Sequence, residues 1–158
     1  MKKDTLIVEG LAGKKTLNGE IRISGAKNDV LKVMAASVLF AGPIKVTNVP
    51  QTEDVKKMQE LLIGIGAQVE QSGHELSIDT SNITSTELDA DLAKSMRASV
   101  VLTGPLLARF GEVTFPIPGG CVIGSRPIDL FVSAYEKMGA HVKLESDSSG
   151  DRYIIAAP

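Results

Sequence analysis

The only cysteine of the 158-residue chain, Cys121, stands in the glycine-rich stretch "PGGCVIGSRPIDL" at residues 118–130. Structural cysteines are usually buried in apolar helices or strands, whereas the glycines around this thiol predict a surface loop, the kind of segment that presents reactive groups. Arg126 follows within reach, where it would favour the thiolate or hold an anionic substrate. The alternative is a glycine-rich connector with an incidental thiol. The pattern favours a functional cysteine.

Two other stretches offer positive charge where a ligand could bind. The sequence "SGAKN" (24–28) marks a change from strand to helix, and a helix N-terminus beside Lys27 suits a carboxylate or phosphate, while Asn28 both donates and accepts hydrogen bonds. Arg97 lies in "KSMRAS" (94–99), on a predicted helix whose other face is apolar. The alternatives are an ordinary turn with a solvated Lys27, and an arginine that is solvated or paired with a nearby carboxylate.

A thiol surrounded by Lys27, Arg97 and Arg126 can attack an electrophile or donate a proton. The cations call for a substrate that bears carboxylate or phosphate groups. The two histidines, His74 and His141, stand in strand-like stretches far from the cysteine, so a Cys–His nucleophile pair has little support. The sequence contains no cluster of metal ligands, and we expect no metal site.

Composition and charge narrow the class of protein that carries these residues. Hydrophobic residues make up 43% of the chain, charged residues 23%, and the net charge is -2, which fits a globular protein and does not suggest a nucleic-acid binder. Aromatic residues are only 4%, with no tryptophan, which argues against stacking platforms for bases. A single cysteine excludes an internal disulfide framework, and no apolar run reaches the ~20 residues of a membrane span. We expect a cytoplasmic protein.

The elements that must position these residues alternate between strands and helices. In the first half, "GEIRIS" (19–24) alternates apolar and polar residues as a half-buried strand does, and a helix follows from Gly25 to Gly42. The apolar stripe of that helix is Leu31, Met34, Ala35 and Val38. A strand at 44–49, a helix at 52–66 and the strands "AQVEQSG" and "ELSID" complete this half.

The second half repeats this order. A helix over 93–111, a strand over 112–117, the cysteine loop, a helix from about 127 to 138 and the strands "AHVKLES" and "RYIIA" follow one another. The stripe of the last helix is Phe131, Ala134, Tyr135 and Met138. "IGAQVE" and "MGAHVK" match around Gly66 and Gly139, which indicates an internal duplication of a βαβα unit with extra strands. The predicted fold class is α/β.

The chain resembles the UDP-N-acetylglucosamine 1-carboxyvinyltransferases, the enolpyruvyl transferases of early peptidoglycan synthesis, in five stretches: "LNGEIRISGAKN", "NVPQTEDV", "LLIGIGAQVE", "KSMRASVVLTGPLLARFG" and "PGGCVIGSRPIDL". The related shikimate-phosphate enolpyruvyl transferases share the fold but lack the cysteine loop. The resemblance implies an inside-out α/β barrel of repeated βαβαββ units. About two units of one lobe are expected here, at 19–85 and 86–158, after a segment 1–18 that would belong to an absent second lobe.

The resemblance also implies a two-step reaction without metal or organic cofactor. A hydroxyl of UDP-N-acetylglucosamine adds to the central carbon of phosphoenolpyruvate while the methylene carbon is protonated, and phosphate then leaves. Cys121 matches the proton donor of the family, on a loop that closes over substrate. Lys27 and Asn28 match the phosphoenolpyruvate-binding pair, and Arg97 matches a sugar-nucleotide contact. The stretch that binds the nucleotide end corresponds to Arg126, Pro127, Ile128, Asp129 and Leu130.

Two departures from the family affect these expectations. Phe131 stands where many relatives have histidine, and the chain stops at "YIIAAP", so the carboxylate base and several substrate-clamping arginines would lie in a missing part. We expect a fragment with little or no activity alone, whose first strand "TLIVEG" is displaced, frayed or paired with a neighbouring chain. Self-association through open strand edges would follow, whereas no nucleic-acid or membrane partner is expected. The alternative function is a non-catalytic lobe that binds sugar nucleotide.

Overall fold

The computed structural model describes residues 5–10, 13, 16, 18–117, 128–147 and 150–158 of the chain. Its helices are α1 (Lys27–Ala36), α2 (Glu53–Gly64), α3 (Ala90–Ser95), α4 (Thr103–Phe110) and α5 (Asp129–Lys137). Its strands are β1 (Pro43–Val46), β2 (Gln68–Ser72), β3 (Glu75–Asp79), β4 (Glu112–Pro116), β5 (His141–Asp147) and β6 (Gly150–Ala156). Short 3₁₀ segments at Ser37–Leu39 and Arg97–Leu102 follow α1 and precede α4. The predicted α/β class is confirmed. Within these ranges no helix is both long enough and apolar enough to cross a membrane.

The strands form two sheets that share one topology. The order is β1-β3-β2 in the first sheet and β4-β6-β5 in the second, with antiparallel pairing throughout. In each sheet a helix, α2 or α5, connects the two outer strands, and a hairpin then places the last strand in the centre. The two halves of the chain thus repeat one strand–helix–hairpin arrangement.

Equivalent glycines end the two connecting helices. Gly66 after α2 has a φ of 106°, and Gly139 after α5 has a φ of 95°. Residues with a Cβ are strained in this left-handed region, so each glycine lets the chain leave the helix and enter the next strand. At Gly66 a Cβ would also lie only 2.7 Å from the carbonyl oxygen of Asn82. The likeness of "IGAQVE" and "MGAHVK" reflects the same turn built twice.

One apolar core joins both halves. The stripe predicted for the first helix is buried, as expected, and consists of Leu31, Met34, Ala35 and Val38. It belongs to one cluster with buried residues of α2, the second 3₁₀ segment and α4, among them Met58, Leu62, Leu102 and Leu106. Because α1 is packed into this core, its N-terminal turn has a fixed position.

Arg109 of α4 connects the second half of the chain to the first through hydrogen bonds. Its Nη1 donates to the carbonyl oxygens of Val38 at 2.9 Å, Phe40 at 3.0 Å and Thr80 at 3.1 Å. The hydroxyl of Thr80 donates to the carbonyl of Phe40 at 2.6 Å. The guanidinium thus satisfies carbonyl groups where the first helical stretch ends and just after β3.

The helix predicted over 93–111 is divided into α3, a 3₁₀ segment and α4. Met96 is extended, with φ -141° and ψ 113°, and ends α3. Pro105 lacks the N–H that a continuous helix would use there, and its ring would clash with the carbonyl four residues earlier. The prediction of one helix is therefore wrong, although Gly111 ends α4 in the left-handed conformation, with φ 81°.

The strand predicted at 19–24 is also absent. These residues pair with no strand in the described part of the chain, and Ile21 and Ile23 are 91% and 83% exposed. The described residues of "TLIVEG", 5–10, form no strand either. Alternation shows that a segment is suited to a strand, but a strand also needs a neighbouring edge, which the pattern does not specify.

The apolar stripe predicted for the helix at 127–138 is only partly covered. The helix is observed at Asp129–Lys137, with Met138 directly after it 77% exposed. Tyr135 is half-buried, and its hydroxyl lies 2.8 Å from Thr103 Oγ1. Helical periodicity correctly indicated the helix, but only part of its apolar side reaches the core.

Candidate functional site

The first turn of α1, which begins at Lys27, is positioned by a close approach of two backbone segments. A Cβ on Gly25 would overlap the carbonyl oxygen of Asn48. Asn48 has a φ of 58°, a left-handed conformation that asparagine tolerates. Val49 is held by His74, since its N–H donates to the His74 carbonyl and its own carbonyl lies 2.9 Å from His74 Nδ1. The chain thus enters α1 from a well-packed turn.

Arg97 is placed by the break between α3 and the 3₁₀ segment. It directly follows Met96, whose extended backbone ends α3 and whose side chain is buried. Ser99 Oγ donates to the carbonyl of Ala93 at 3.0 Å, so a side-chain hydroxyl satisfies a carbonyl at the end of α3. The extended backbone of Met96, which contradicts the prediction of one helix, therefore also sets the position at which Arg97 begins the 3₁₀ segment.

A cavity of about 400 Å³ lies among α1, α2, the segment at 95–101 and α5. Its lining residues are Lys27, Asn28, Leu31, Asp54, Ser95, Met96, Arg97, Ala98, Val100, Val101 and Phe131. Lys27, Asn28 and Arg97, which were selected from separate stretches of sequence, therefore line one cavity. Phe131, noted as a departure from the family, lines it as well.

Lys27 forms an ion pair with Asp54 in this cavity. Lys27 Nζ lies 2.6 Å from Asp54 Oδ2, and the two side chains are 47% and 34% exposed. A pair this exposed contributes about 0–1 kcal/mol to stability. Sequence reasoning missed Asp54 as a site residue. Its only local signal is the acidic pair in "TEDV", at the start of the helix predicted over 52–66.

The cavity is suited to an anionic ligand. Among the lining residues that the structure describes, Lys27 and Arg97 are cationic and Asp54 carries the one carboxylate. The first N–H groups of α1 have no acceptor within the helix, and the helix N-terminus carries partial positive charge. Lysine supplies a compact point charge and arginine a planar fork of donors, so a carboxylate and a phosphate could both be bound. Among the described residues, no three or more His, Cys, Asp and Glu side chains are grouped to hold a metal ion.

The start of α5 reaches this cavity through Phe131. Ile128, directly before the helix, is 4% exposed and belongs to the core, whereas Asp129 and Leu130 lie at the surface. A ligand contact of Ile128 would therefore use its backbone rather than its side chain. The remaining residues predicted for the site lie outside the described part of the chain: Cys121, Arg126 and Pro127.

Sequence comparison relates the chain to known enzymes. The pattern of the family described as EPSP synthase (3-phosphoshikimate 1-carboxyvinyltransferase) matches residues 11–155. Relatives named UDP-N-acetylglucosamine 1-carboxyvinyltransferase include proteins from Campylobacter hominis, 45% identical over 144 residues, and Psychrobacter arcticus, 42% identical over 146 residues. These matches cover 90% and 92% of this chain but 33% of each relative. The chain thus spans about a third of the length of the curated relatives it matches.

Solved structures share the fold. The crystal structure of the enolpyruvyl transferase NikO from Streptomyces tendae matches with a TM-score of 0.73 at 23% identity, over 89% of this chain and 30% of that chain. An EPSP synthase from Acinetobacter baumannii matches with a TM-score of 0.62 at 16% identity, over 89% of this chain and 32% of that chain. At these identities the likeness establishes the fold alone.

Proposed function

The chain belongs to the family described as EPSP synthase (3-phosphoshikimate 1-carboxyvinyltransferase), and we propose that it serves the reaction for which its curated relatives are named. In that reaction the enolpyruvyl group of phosphoenolpyruvate is transferred to UDP-N-acetylglucosamine and phosphate is released, the first committed step of peptidoglycan synthesis. Support comes from 45% identity over 90% of the chain to one such relative. A cytoplasmic location belongs to the same proposal.

In the proposed mechanism, the sugar hydroxyl oxygen bonds to the central carbon of phosphoenolpyruvate, and the Cys121 thiol gives its proton to the methylene carbon. The hydroxyl proton passes to a base that we assign to no residue of this chain. The new methyl group then gives a proton to a base, which we also assign to no residue of this chain, and the C–O bond to phosphate breaks as phosphate leaves with its electron pair, which restores the double bond. Lys27 and Asn28 bind phosphoenolpyruvate, and Arg97 contacts the sugar nucleotide beside it. The nucleotide end is assigned to Arg126, Pro127, Ile128, Asp129 and Leu130.

The observation that carries this proposal is the cavity shared by Lys27, Asn28 and Arg97. Phosphoenolpyruvate bears a carboxylate and a phosphate, and UDP-N-acetylglucosamine bears a diphosphate. Such ligands call for several cationic and hydrogen-bonding groups around one space. In this chain those groups come from α1 and from the 3₁₀ segment, and they meet in one cavity.

The test is the intact mass of the chain after exposure to fosfomycin, an epoxide analogue of phosphoenolpyruvate, with and without UDP-N-acetylglucosamine. Attack of the thiolate on an epoxide carbon forms one C–S bond and opens the ring, so a single adduct is expected on Cys121. We expect the adduct to form faster when the sugar nucleotide is present. Cys121→Ser removes the only thiol and should abolish labelling. Arg97→Met should retain slow labelling but lose the acceleration.

If Cys121 is labelled at the rate of a free thiol, and the rate is the same with and without the sugar nucleotide, these 158 residues do not form a working part of the substrate site. We expect the chain alone to turn over slowly or not at all, because it spans 33% of the relative from Campylobacter hominis. The second candidate is a non-catalytic lobe, favoured if UDP-N-acetylglucosamine binds the cavity without accelerating the labelling. Self-association through strand edges is a separate proposal, which sedimentation velocity at several concentrations would test.

A further inference from the structure

We infer that Asp54 is a positioning residue for an anion site: it holds the Lys27 ammonium in the cavity so that the remaining N–H groups of the ammonium bind the ligand. This rests on the proposed function, in which Lys27 binds the phosphate or carboxylate of a substrate. The distance of 2.6 Å between Lys27 Nζ and Asp54 Oδ2 is that of a charge-assisted hydrogen bond. Both side chains line the same cavity as Asn28 and Arg97.

The number of donors on an ammonium makes this role possible. Lysine carries three N–H donors and no acceptor, so one N–H can stay on Asp54 while the others bind an anion. The side chain of Lys27 is 47% exposed, and its flexible four-carbon stem would otherwise lose rotamer freedom when a ligand binds. A partner that restrains the ammonium beforehand removes that cost from ligand binding.

Asp54 also opposes the ligand, because both carry negative charge. The Asp54 side chain is 34% exposed, so water and salt screen this repulsion, and the bound ammonium offsets part of it. The charge of Arg97 adds attraction from another segment that lines the cavity. We therefore expect the restraint on Lys27 to outweigh the repulsion, so that Asp54 increases the affinity for an anion.

Glu53 provides a matched control for Asp54. The two residues are neighbours in the first turn of α2, and Glu53 pairs with Lys56 at 3.8 Å rather than with Lys27. The Glu53 side chain is 72% exposed and does not line the cavity. Removing either negative charge costs α2 the same type of interaction with its helix dipole. The two variants therefore differ mainly in the contact with Lys27.

The experiment is side-chain NMR of the 158-residue chain, with inorganic phosphate as the ligand. The order parameter of the Lys27 ammonium and the phosphate dissociation constant are measured in wild type, Asp54→Asn, Asp54→Glu and Glu53→Gln. We expect Asp54→Asn to release Lys27 to the mobility of a solvated lysine and to weaken phosphate binding about 2- to 10-fold, the range for ordering one long side chain. Glu53→Gln should change neither quantity, and Asp54→Glu should restore part of both.

An unchanged Lys27 order parameter in Asp54→Asn would overturn the inference. Equal or tighter phosphate binding by that variant would also overturn it, since Asp54 would then compete with the ligand rather than present Lys27 to it. Failure of the proposed function looks different: UDP-N-acetylglucosamine would not accelerate fosfomycin labelling, while phosphate would still bind at Lys27 in an Asp54-dependent way. A wild-type chain that does not bind phosphate at Lys27 would overturn both the role of Asp54 and the role of Lys27 in the proposed function.

Discussion

Thr80 and Thr52 both have a buried side-chain hydroxyl, but the two hydroxyls differ in their hydrogen-bond partners. Thr80 is fully buried, and its Oγ1 donates to the Phe40 carbonyl at 2.6 Å and accepts from Arg109 Nη1 at 3.1 Å. Thr52 directly precedes α2, and its buried Oγ1 has no hydrogen-bond partner among the residues that the structure describes. The same chemical change at these two positions should therefore have different consequences.

We expect Thr80→Val to lower the free energy of unfolding by about 1–3 kcal/mol, because Arg109 loses a buried acceptor and the Phe40 carbonyl loses a donor. Thr52→Val should leave that free energy unchanged or raise it, since a buried hydroxyl without a partner is already unfavourable. Urea unfolding followed by circular dichroism measures both variants. Losses of similar size at the two positions would contradict the assignment of partners.

At the scale of residues, the sequence indicated the side chains that could do chemistry but not their partners. Lys27 was predicted from a helix N-terminus that suits an anion, and Arg97 from a helix with an apolar face. Both line the cavity. Asp54 and Glu53 have the same local signal, two acidic residues in the first turn of one helix. Only the packing of α2 beside α1 distinguishes the carboxylate that pairs with Lys27, and that packing depends on contacts between distant parts of the chain.

At the scale of elements, the turn into α1 depends on the absence of a side chain at Gly25. A Cβ there would overlap the carbonyl oxygen of Asn48, so one of the two segments must move. We expect Gly25→Ala to lower the free energy of unfolding by about 1–3 kcal/mol, the usual cost of overpacking. Phosphate binding should weaken too, because Lys27 begins the helix two residues later and moves with the turn.

Gly64→Ala is the matched control for this prediction. Gly64 is the last residue of α2, and an added Cβ would meet no atom within 4 Å. Alanine favours the helix over glycine by up to about 1 kcal/mol, so this variant should be as stable as wild type or more stable, with unchanged phosphate binding. Urea unfolding and phosphate titration compare the two variants. Equal stability of Gly25→Ala and wild type would show that the close approach is dispensable.

Elements with strong local signals were predicted well, whereas the strand at 19–24 and the single helix at 93–111 were not. The predicted helix at 52–66 is observed as Glu53–Gly64, because it carries both a clear apolar period and start and stop signals. The segment 19–24 has a good strand pattern but no edge to pair with among the described residues. The break at Met96 was missed because the apolar period continues through it. Pro105 was the local sign that one helix could not run to 111.

At the scale of the whole molecule, Arg109 connects two halves of identical topology. It donates to three carbonyl groups of the first half from a helix of the second. We expect Arg109→Met to lower the free energy of unfolding by about 1.5–3 kcal/mol, the range for hydrogen bonds to a charged group. Arg109→Lys should lose less stability than Arg109→Met, because the lysine ammonium keeps the positive charge. It should still lose some stability, since it lacks the planar fork of donors. Arg22→Met, at an exposed position, is the control in urea unfolding. A loss in Arg109→Met no larger than in Arg22→Met would contradict this role.

Only part of the larger architecture could be predicted from the sequence. The α/β class followed from alternating periods, and the family followed from the stretches around Lys27, Arg97 and Cys121. Closure into an inside-out barrel and the unit boundaries at 19–85 and 86–158 remain predictions. They depend on how sheets and helices pack over long distances, which a repeat in the sequence does not specify.

The response of the whole chain to acid should depend on carboxyl groups that accept hydrogen bonds in the folded state. The hydrogen bond from Lys143, and then that from Arg152, lower the pKa of Glu145 from its ordinary value of 4.5. The hydrogen bonds from the Ser81 hydroxyl and N–H lower the pKa of Asp79 from 3.8. Between the folded and unfolded pKa values of each group, the unfolded chain binds more protons. The stability that each group contributes is therefore present above its unfolded pKa and is lost as the pH falls through its folded pKa.

Glu145→Gln tests this link between a cross-strand pair and acid unfolding. Glu145 on β5 faces Arg152 on β6, with 3.2 Å between Glu145 Oε2 and Arg152 Nη2, and glutamine keeps the shape of the side chain but cannot titrate. We expect the variant to lose less stability than wild type as the pH falls below 4.5, with Asp79 still contributing to the remaining decline.

Glu70→Gln, at an exposed position on β2, is the control. Urea unfolding at a series of pH values from neutral to acid gives the slopes. Equal slopes for Glu145→Gln and wild type would show that the pair is not maintained in solution.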